Sequence, residues 1–233
     1  MAVWTPAPLM LALDFDTAEE AWELAQKTAG VVNVYKVGPR LIQLSGLSLI
    51  HKLTSLAPVF VDCKYHDIPS TVEAAVRASF RAGATFVTVH ASNGAATLRR
   101  LAEVEQELNK QREFHILAVT VLTSLTDETL PSNWQKQSIV EHVKSLAQEV
   151  RSAGLEGLVC SADELSVVQD LGLHCITPGI RIAGTDYQDQ TRVTDPTAAR
   201  RRGAWAMVVG RPILQAADPR GQAKNFLRLW DAQ

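Results

Sequence analysis

The chain has 233 residues, 46% hydrophobic and 21% charged, enough for one large domain or two small ones around a sizeable core. Its 23 Lys and Arg against 25 Asp and Glu leave a formal charge of -2. That balance excludes the bulk positive field of a non-specific nucleic-acid or membrane binder, leaves room for a small cationic pocket, and argues against disorder.

The opening, MAVWTPAPLMLALDFD, is apolar but has no basic n-region and breaks at Asp14, so it reads as a first strand and not a signal peptide. No run of about 18 apolar residues follows, and no bilayer span is expected. Short apolar runs suited to strands lie at 9–13, 31–37, 59–61, 86–90, 116–121, 157–160, 174–176 and 207–209. Their near-continuous apolar character suits parallel strands buried on both faces. Cys63, Cys160 and Cys175 are an odd trio without CxxC spacing, which fits reduced thiols in a cytoplasmic protein.

Helix punctuation fills the gaps between the strands. Thr17 with Glu20, Ser138 with Glu141, and Ser161 with Glu164 have capping-box spacing. Gly30, Gly83, Gly154, Gly172 and Gly203 stand where a helix would end, and Pro69 and Pro196 where one would begin. Val72, Ala75, Val76, Ser79 and Phe80 make one helical face. Eight strand-then-helix units in this length predict a (β/α)₈ TIM barrel, a single domain over residues 1–233, with a doubly wound open sheet as the rival. KQR at 110–112 reads as a solvated helix end.

In such a barrel the chemistry sits at the C-terminal strand ends, which here carry Asp14, Lys36, Asp62 and Lys64. Each alone would pass for a structural salt bridge; four on three consecutive strand ends read as a site. Asp62 and Lys64 are two apart, so an extended strand points both to one side and Cys63 to the helix layer. Asp67 precedes the helix start at Pro69 and has a helix cap as its plainer reading; Thr71 follows four residues later.

At the other end of the chain, TPGIR (177–181) and VVGRPI (208–213) close the seventh and eighth strands, where barrels commonly bind phosphate. Gly179 and Gly210 allow backbone N–H groups to approach an anion, Arg211 adds a charged fork, and residues 212–216 fit a short extra helix. Polar, aperiodic residues 181–190 read as a lid. His66 and His90 show no metal-site spacing, and Ser92-Asn93-Gly94 reads as a loop and cap. The five Trp form no stacking platform for nucleic acid.

ALDFD, YKVG, FVDCKYHDIPSTV, VTVHAS, VLTS, TPGIR, DQTRV and VVGRPI together resemble bacterial-type orotidine 5′-phosphate decarboxylase from about residue 9 to 220, in the right order. The resemblance implies conversion of orotidine 5′-phosphate to UMP in pyrimidine synthesis, without metal or organic cofactor. By it, Lys64 is the proton donor to C6, flanked by Asp62 and Asp67. Lys36 and Asp14 hold ribose hydroxyls, and Lys36 joins the Asp62–Lys64 network. Thr71 makes a ribose- or phosphate-side contact, and Thr123, or neighbouring Ser124, meets the pyrimidine. Arg181, Gln190, Gly210 and Arg211 serve phosphate and lid.

The same resemblance implies a homodimer in which Asp67 and Thr71 complete the neighbouring site. Two departures from the family wording are the lid IRIAGTDYQDQ and Trp205 before the eighth strand. The rival enzymes are Mg²⁺-dependent sugar-phosphate barrels, against which DIPST and DQTRV weigh. A non-catalytic phosphate-binding barrel is opposed by the intact charged set. An open-sheet dinucleotide binder lacks a GxGxxG after the first strand.

Overall fold

A computed structural model describes residues 3–134, 136–182 and 194–232. The strands are β1 (Leu9–Ala12), β2 (Val34–Val37), β3 (Val59–Tyr65), β4 (Phe86–His90), β5 (His115–Val119), β6 (Gly157–Val159), β7 (His174–Thr177) and β8 (Ala206–Val209). All neighbours pair parallel, and β1 also pairs β8, so the sheet closes into a barrel in sequence order. This is the (β/α)₈ barrel expected, and closure removes the open-sheet rival.

Between the strands run α1 (Ala18–Thr28), α2 (Pro39–Ser45), α3 (Ser48–Leu53), α4 (Pro69–Arg81), α5 (Ala95–Asn109), α6 (Ile139–Ala153) and α7 (Leu165–Val168). The last three are α8 (Pro196–Arg201), α9 (Arg211–Leu214) and α10 (Pro219–Asp231). Ser138 and Glu141 form a reciprocal capping box on α6, and Ser161 with Glu164 does so on a single 3₁₀ turn. Thr17 caps α1 through the Glu20 N–H. Gly154 ends α6 at φ +92°, a left-handed conformation that a residue with a Cβ rarely adopts. Pro69 and Pro196 open α4 and α8, where a missing N–H costs nothing.

Two apolar layers follow from strand alternation. Val34, Phe60, Phe86, Leu117 and Ile176 face inward and fill the barrel, while Tyr35, Val59, Val61, Val87 and Val89 face outward against the helices. On α4 the predicted face is the buried one, through Val72, Val76 and Ser79. Arg112 departs from the solvated helix end expected. Its guanidinium lies 3.9 Å from the Phe80 ring centroid and Nη1 donates to the Ala84 carbonyl at 2.7 Å, tying β4's approach to β5's.

The N-terminal end of the barrel is stoppered by an aromatic stack. Trp4 lies between His115 (3.9 Å) and His174 (4.1 Å), with Trp205 edge-on at 5.1 Å. Glu113 accepts from the Thr5 backbone N–H and hydroxyl (3.0 and 2.8 Å) and from His115 Nε2 at 3.0 Å. Trp205, a departure in the sequence pattern, is thereby accounted for: it backs Trp4.

Gly157 sits beside this stack, and a Cβ there would lie 2.6 Å from Leu117 Cδ2 and 2.7 Å from the Ile116 carbonyl oxygen. The backbone oxygen cannot rotate away. Gly157→Ala is therefore expected to destabilise the fold by about 1–3 kcal/mol, read from the urea midpoint. An unchanged midpoint would show that β5 and β6 separate freely.

Candidate active site

Asp14, Lys36 and Asp62 reach the C-terminal mouth by simple register. Ala12 pairs with Lys36 and Lys36 with Phe60, so these positions lie level around the barrel. Lys36 follows inward-facing Val34 by two residues, and Asp62 follows inward-facing Phe60 by two. The result is an alternating array: Lys36 Nζ stands 3.7 Å from Asp14 Oδ1 and 3.2 Å from Asp62 Oδ2, while Lys64 Nζ stands 2.9 Å from Asp62 Oδ1.

Lys64 arrives by another route. Val61 pairs with Val87 and Tyr65 with Val89, so β3 takes four residue steps where β4 takes two. The surplus forms a bulge, and Lys64 lies in it at φ +49°, the one non-glycine at positive φ among the described residues. Left-handed backbone costs a non-glycine roughly 1–2 kcal/mol, so the surroundings must hold it there. The expectation that alternation alone aligns Asp62 and Lys64 is thus corrected. The two side chains do meet, through a bulge. Cys63 packs toward the helix layer, as alternation predicted.

Thr88, which sequence reasoning passed over as a core strand residue, joins the network. Its hydroxyl accepts from the Lys64 backbone N–H at 2.8 Å and donates to Asp62 Oδ1 at 3.0 Å. A threonine at an inward strand position carries no sequence signal that separates it from packing; only the bulge opposite reveals its use.

Burial opposes the charge on Lys36, but Asp62 and then Asp14 outweigh it, and the ammonium's pKa is raised above the ordinary lysine value. Burial likewise opposes the Asp62 carboxylate. Lys36 and Lys64 overcome it and hold the pKa below the usual carboxylate range. Both groups are therefore ionised at neutral pH.

A cavity of about 240 Å³ opens over this array. Asp14, Lys36, Asp62, Lys64, Thr123, Arg181, Gly210 and Arg211 all line it, with Ala12, Phe60, Val159 and Val208 as apolar wall. One chamber thus gathers residues spread from β1 to the residues after β8. Arg181 is buried, its Nη1 donating to the Ile180 carbonyl at 3.1 Å. Gly210 packs against β1, a Cβ there lying 3.5 Å from Ala12 Cβ and 3.6 Å from Asp14 Oδ2. The short helix after β8 spans Arg211–Leu214 and so begins one residue earlier than the sequence pattern indicated.

Asp67 and Thr71 are exposed and do not line this cavity. The Asp67 carboxylate accepts the Ile68 N–H, one residue ahead of the helix cap position, so it is not the α4 cap. Gln190 lies outside the described residues. His66 and His90 stack with centroids 5.2 Å apart. Burial, then the charges of His66 and Lys64, lower the His90 pKa. Among the described residues, no three His, Cys, Asp or Glu side chains are grouped to hold a metal ion, and no helix is long and apolar enough to cross a membrane.

A family model described as orotidine 5′-phosphate decarboxylase / HUMPS matches residues 7–226. The chain belongs to this family. A relative from Methylobacterium nodulans, named an orotidine 5′-phosphate decarboxylase, is 40% identical over 231 residues, covering 96% of each chain. One of the same name from Marinomonas sp. is 38% identical over 217 residues, covering 91% of this chain and 92% of the relative. A crystal structure of orotidine 5′-phosphate decarboxylase from Lactobacillus acidophilus superposes with a TM-score of 0.85 at 32% identity, covering 97% of this chain and all of that one. The resemblance read from the motifs therefore extends across the family-matched chain and its barrel.

Proposed function

We propose that this chain decarboxylates orotidine 5′-phosphate to UMP in pyrimidine biosynthesis, with Lys64 as proton donor in the Asp14–Lys36–Asp62–Lys64 array. The observation that carries this reading is the alternating array itself, lining one cavity in a chain so similar to named decarboxylases. Breaking the bond from C6 to the carboxylate carbon releases CO₂ and leaves its electron pair on C6. That pair lies in the ring plane and cannot delocalise into the π system. A fixed ammonium beside C6 stabilises the developing charge and then transfers a proton to it, giving UMP; water restores the proton to Lys64.

Asp62 aims Lys64 through the 2.9 Å contact of its Oδ1 with Nζ. Lys36 and Asp14 are assigned to the ribose hydroxyls and Thr123 to the pyrimidine. Arg211, with Gly210 and Arg181, is assigned to the phosphate, joined by Gln190. Phosphate binding far from C6 supplies energy that orders the site around the reacting ring. The deciding experiment is ultraviolet-monitored turnover of orotidine 5′-phosphate with and without EDTA. Chelator-insensitive formation of UMP supports the reading. Activity confined to sugar phosphates with Mg²⁺ would transfer the chain to the metal-dependent barrels, and folded protein that binds UMP without releasing CO₂ would make it a regulatory one.

The working unit is assigned as a homodimer of the 1–233 barrel in which Asp67 and Thr71 complete the partner's site. Their position outside this chain's own cavity supports that assignment. Cys63, Cys160 and Cys175 form no disulfide, which suits a reducing compartment, and cytoplasmic placement is inferred from that. Mixing Lys64→Ala with Asp67→Ala protein is expected to restore up to about one quarter of wild-type sites, because half the heterodimers' sites carry neither defect in a statistical mixture. No recovery after verified subunit exchange would end the shared-site assignment.

A further inference from the structure

We propose that Thr88 is a positioning residue for this reaction, one hydroxyl fixing both the Lys64 backbone and the Asp62 carboxylate. The proposal rests on the decarboxylase reading above and concerns what holds its proton donor in place.

Thr88 follows inward-facing Phe86 by two residues on β4 and is fully buried inside the barrel, below the cavity and outside its lining. A buried hydroxyl has one proton to donate and lone pairs to accept with, and Thr88 uses both functions on the array. It accepts the Lys64 N–H at 2.8 Å and donates to Asp62 Oδ1 at 3.0 Å. The same Oδ1 accepts Lys64 Nζ at 2.9 Å. Backbone and side chain of a single lysine are thereby closed into a ring through one carboxylate oxygen and one hydroxyl.

The bulge explains why such a ring is needed. Where β3 leaves the register of β4, the Lys64 amide no longer meets a strand carbonyl, and its φ of +49° is unfavourable for a side-chain-bearing residue. Thr88 supplies the missing acceptor. Its donated proton also fixes which Asp62 oxygen faces Lys64, leaving Oδ2 to Lys36 at 3.2 Å. Valine has threonine's shape without either function, and serine has both functions without the methyl.

The test compares Thr88→Val with Thr88→Ser in the intact protein, by kcat and KM for orotidine 5′-phosphate and by crystal structures of both variants. Valine is expected to lower kcat about 10- to 100-fold with KM changed less than about threefold, since a misplacement near 1 Å has that effect. Serine is expected to return kcat to within about fivefold of wild type. In the valine structure Lys64 leaves the left-handed region or its Nζ separates from Asp62; in the serine structure it does neither.

Equal losses in both variants would make Thr88 a packing residue. A kcat within about twofold of wild type for valine, or a Lys64 unmoved in its structure, would overturn the proposal outright. If wild-type protein turned over no orotidine 5′-phosphate, the functional reading would fall, while the two Lys64 geometries would still decide the role of Thr88.

Discussion

Lys64→Ala is expected to lower kcat for orotidine 5′-phosphate by about 10⁴-fold or more, because one group supplies both the electrostatic stabilisation and the proton. The Nζ–Asp62 contact of 2.9 Å shows an ammonium already aimed, so its removal takes away preorganisation that water entering the space cannot replace. UMP affinity should change far less, since Arg211, Gly210 and the apolar wall of Phe60 and Val208 remain. Single-turnover absorbance measurements give the first quantity and calorimetric titration with UMP the second. A variant retaining more than about one hundredth of wild-type kcat would remove Lys64 from the role of proton donor. Loss of UMP binding in proportion to kcat would instead make Lys64 a binding residue.

Asp62→Asn is expected to lower kcat about 10³-fold and to reshape its pH profile. Asp62 is the junction of the array, 3.2 Å from one ammonium and 2.9 Å from the other. In the native protein its lowered pKa adds stability above the unfolded carboxylate value, lost as pH falls through the lower folded one. The raised pKa of Lys36 acts at the other limit. Its contribution is complete below the unfolded lysine value and is lost as pH rises through the higher folded one.

Between those limits both charges are constant, so this pair imposes no pH dependence on kcat near neutrality. In the asparagine variant burial of Lys36 is opposed by Asp14 alone, at 3.7 Å, and the Lys36 pKa falls. The alkaline limb of the kcat profile should then move to lower pH. A profile parallel to wild type, merely scaled down, would show that Asp62 does not sustain the charge on Lys36.

The barrel was legible because its two periodicities are simple. Each apolar run became a strand, Thr17, Ser138 and Ser161 took cap positions, Pro69 and Pro196 opened helices, and the inward and outward sets followed from alternation. Boundaries slipped where tertiary pairing overrode composition. Val31 and Val32 are apolar enough to open a strand, but their amides bond back to Thr28, and β2 starts at Val34. Conversely β3 continues through Asp62 to Tyr65, past the end of its apolar run.

Among the candidate site residues, charge at a strand end was a strong signal because burial penalises it, and Asp14, Lys36, Asp62 and Lys64 all came together. What stayed hidden was conditional on a partner strand. The bulge at Lys64 is defined only against β4, and Thr88 acquires its function only through that bulge. The same holds for Trp4, whose stacking partners lie more than a hundred residues away in the chain.

Pairing of β1 with β8 carries a further consequence, for the order of events during synthesis. Asp14 emerges from the ribosome early and Arg211 nearly two hundred residues later, yet both line one chamber. A nascent chain that has completed β3 already contains the entire acidic and basic quartet but lacks the strand that closes the cylinder beside it. Its charged strand ends then have no enclosed interior to face, and the first strand presents an unpaired edge. Catalytic competence therefore cannot accumulate gradually along the polypeptide; it begins only when the last strand docks against the first.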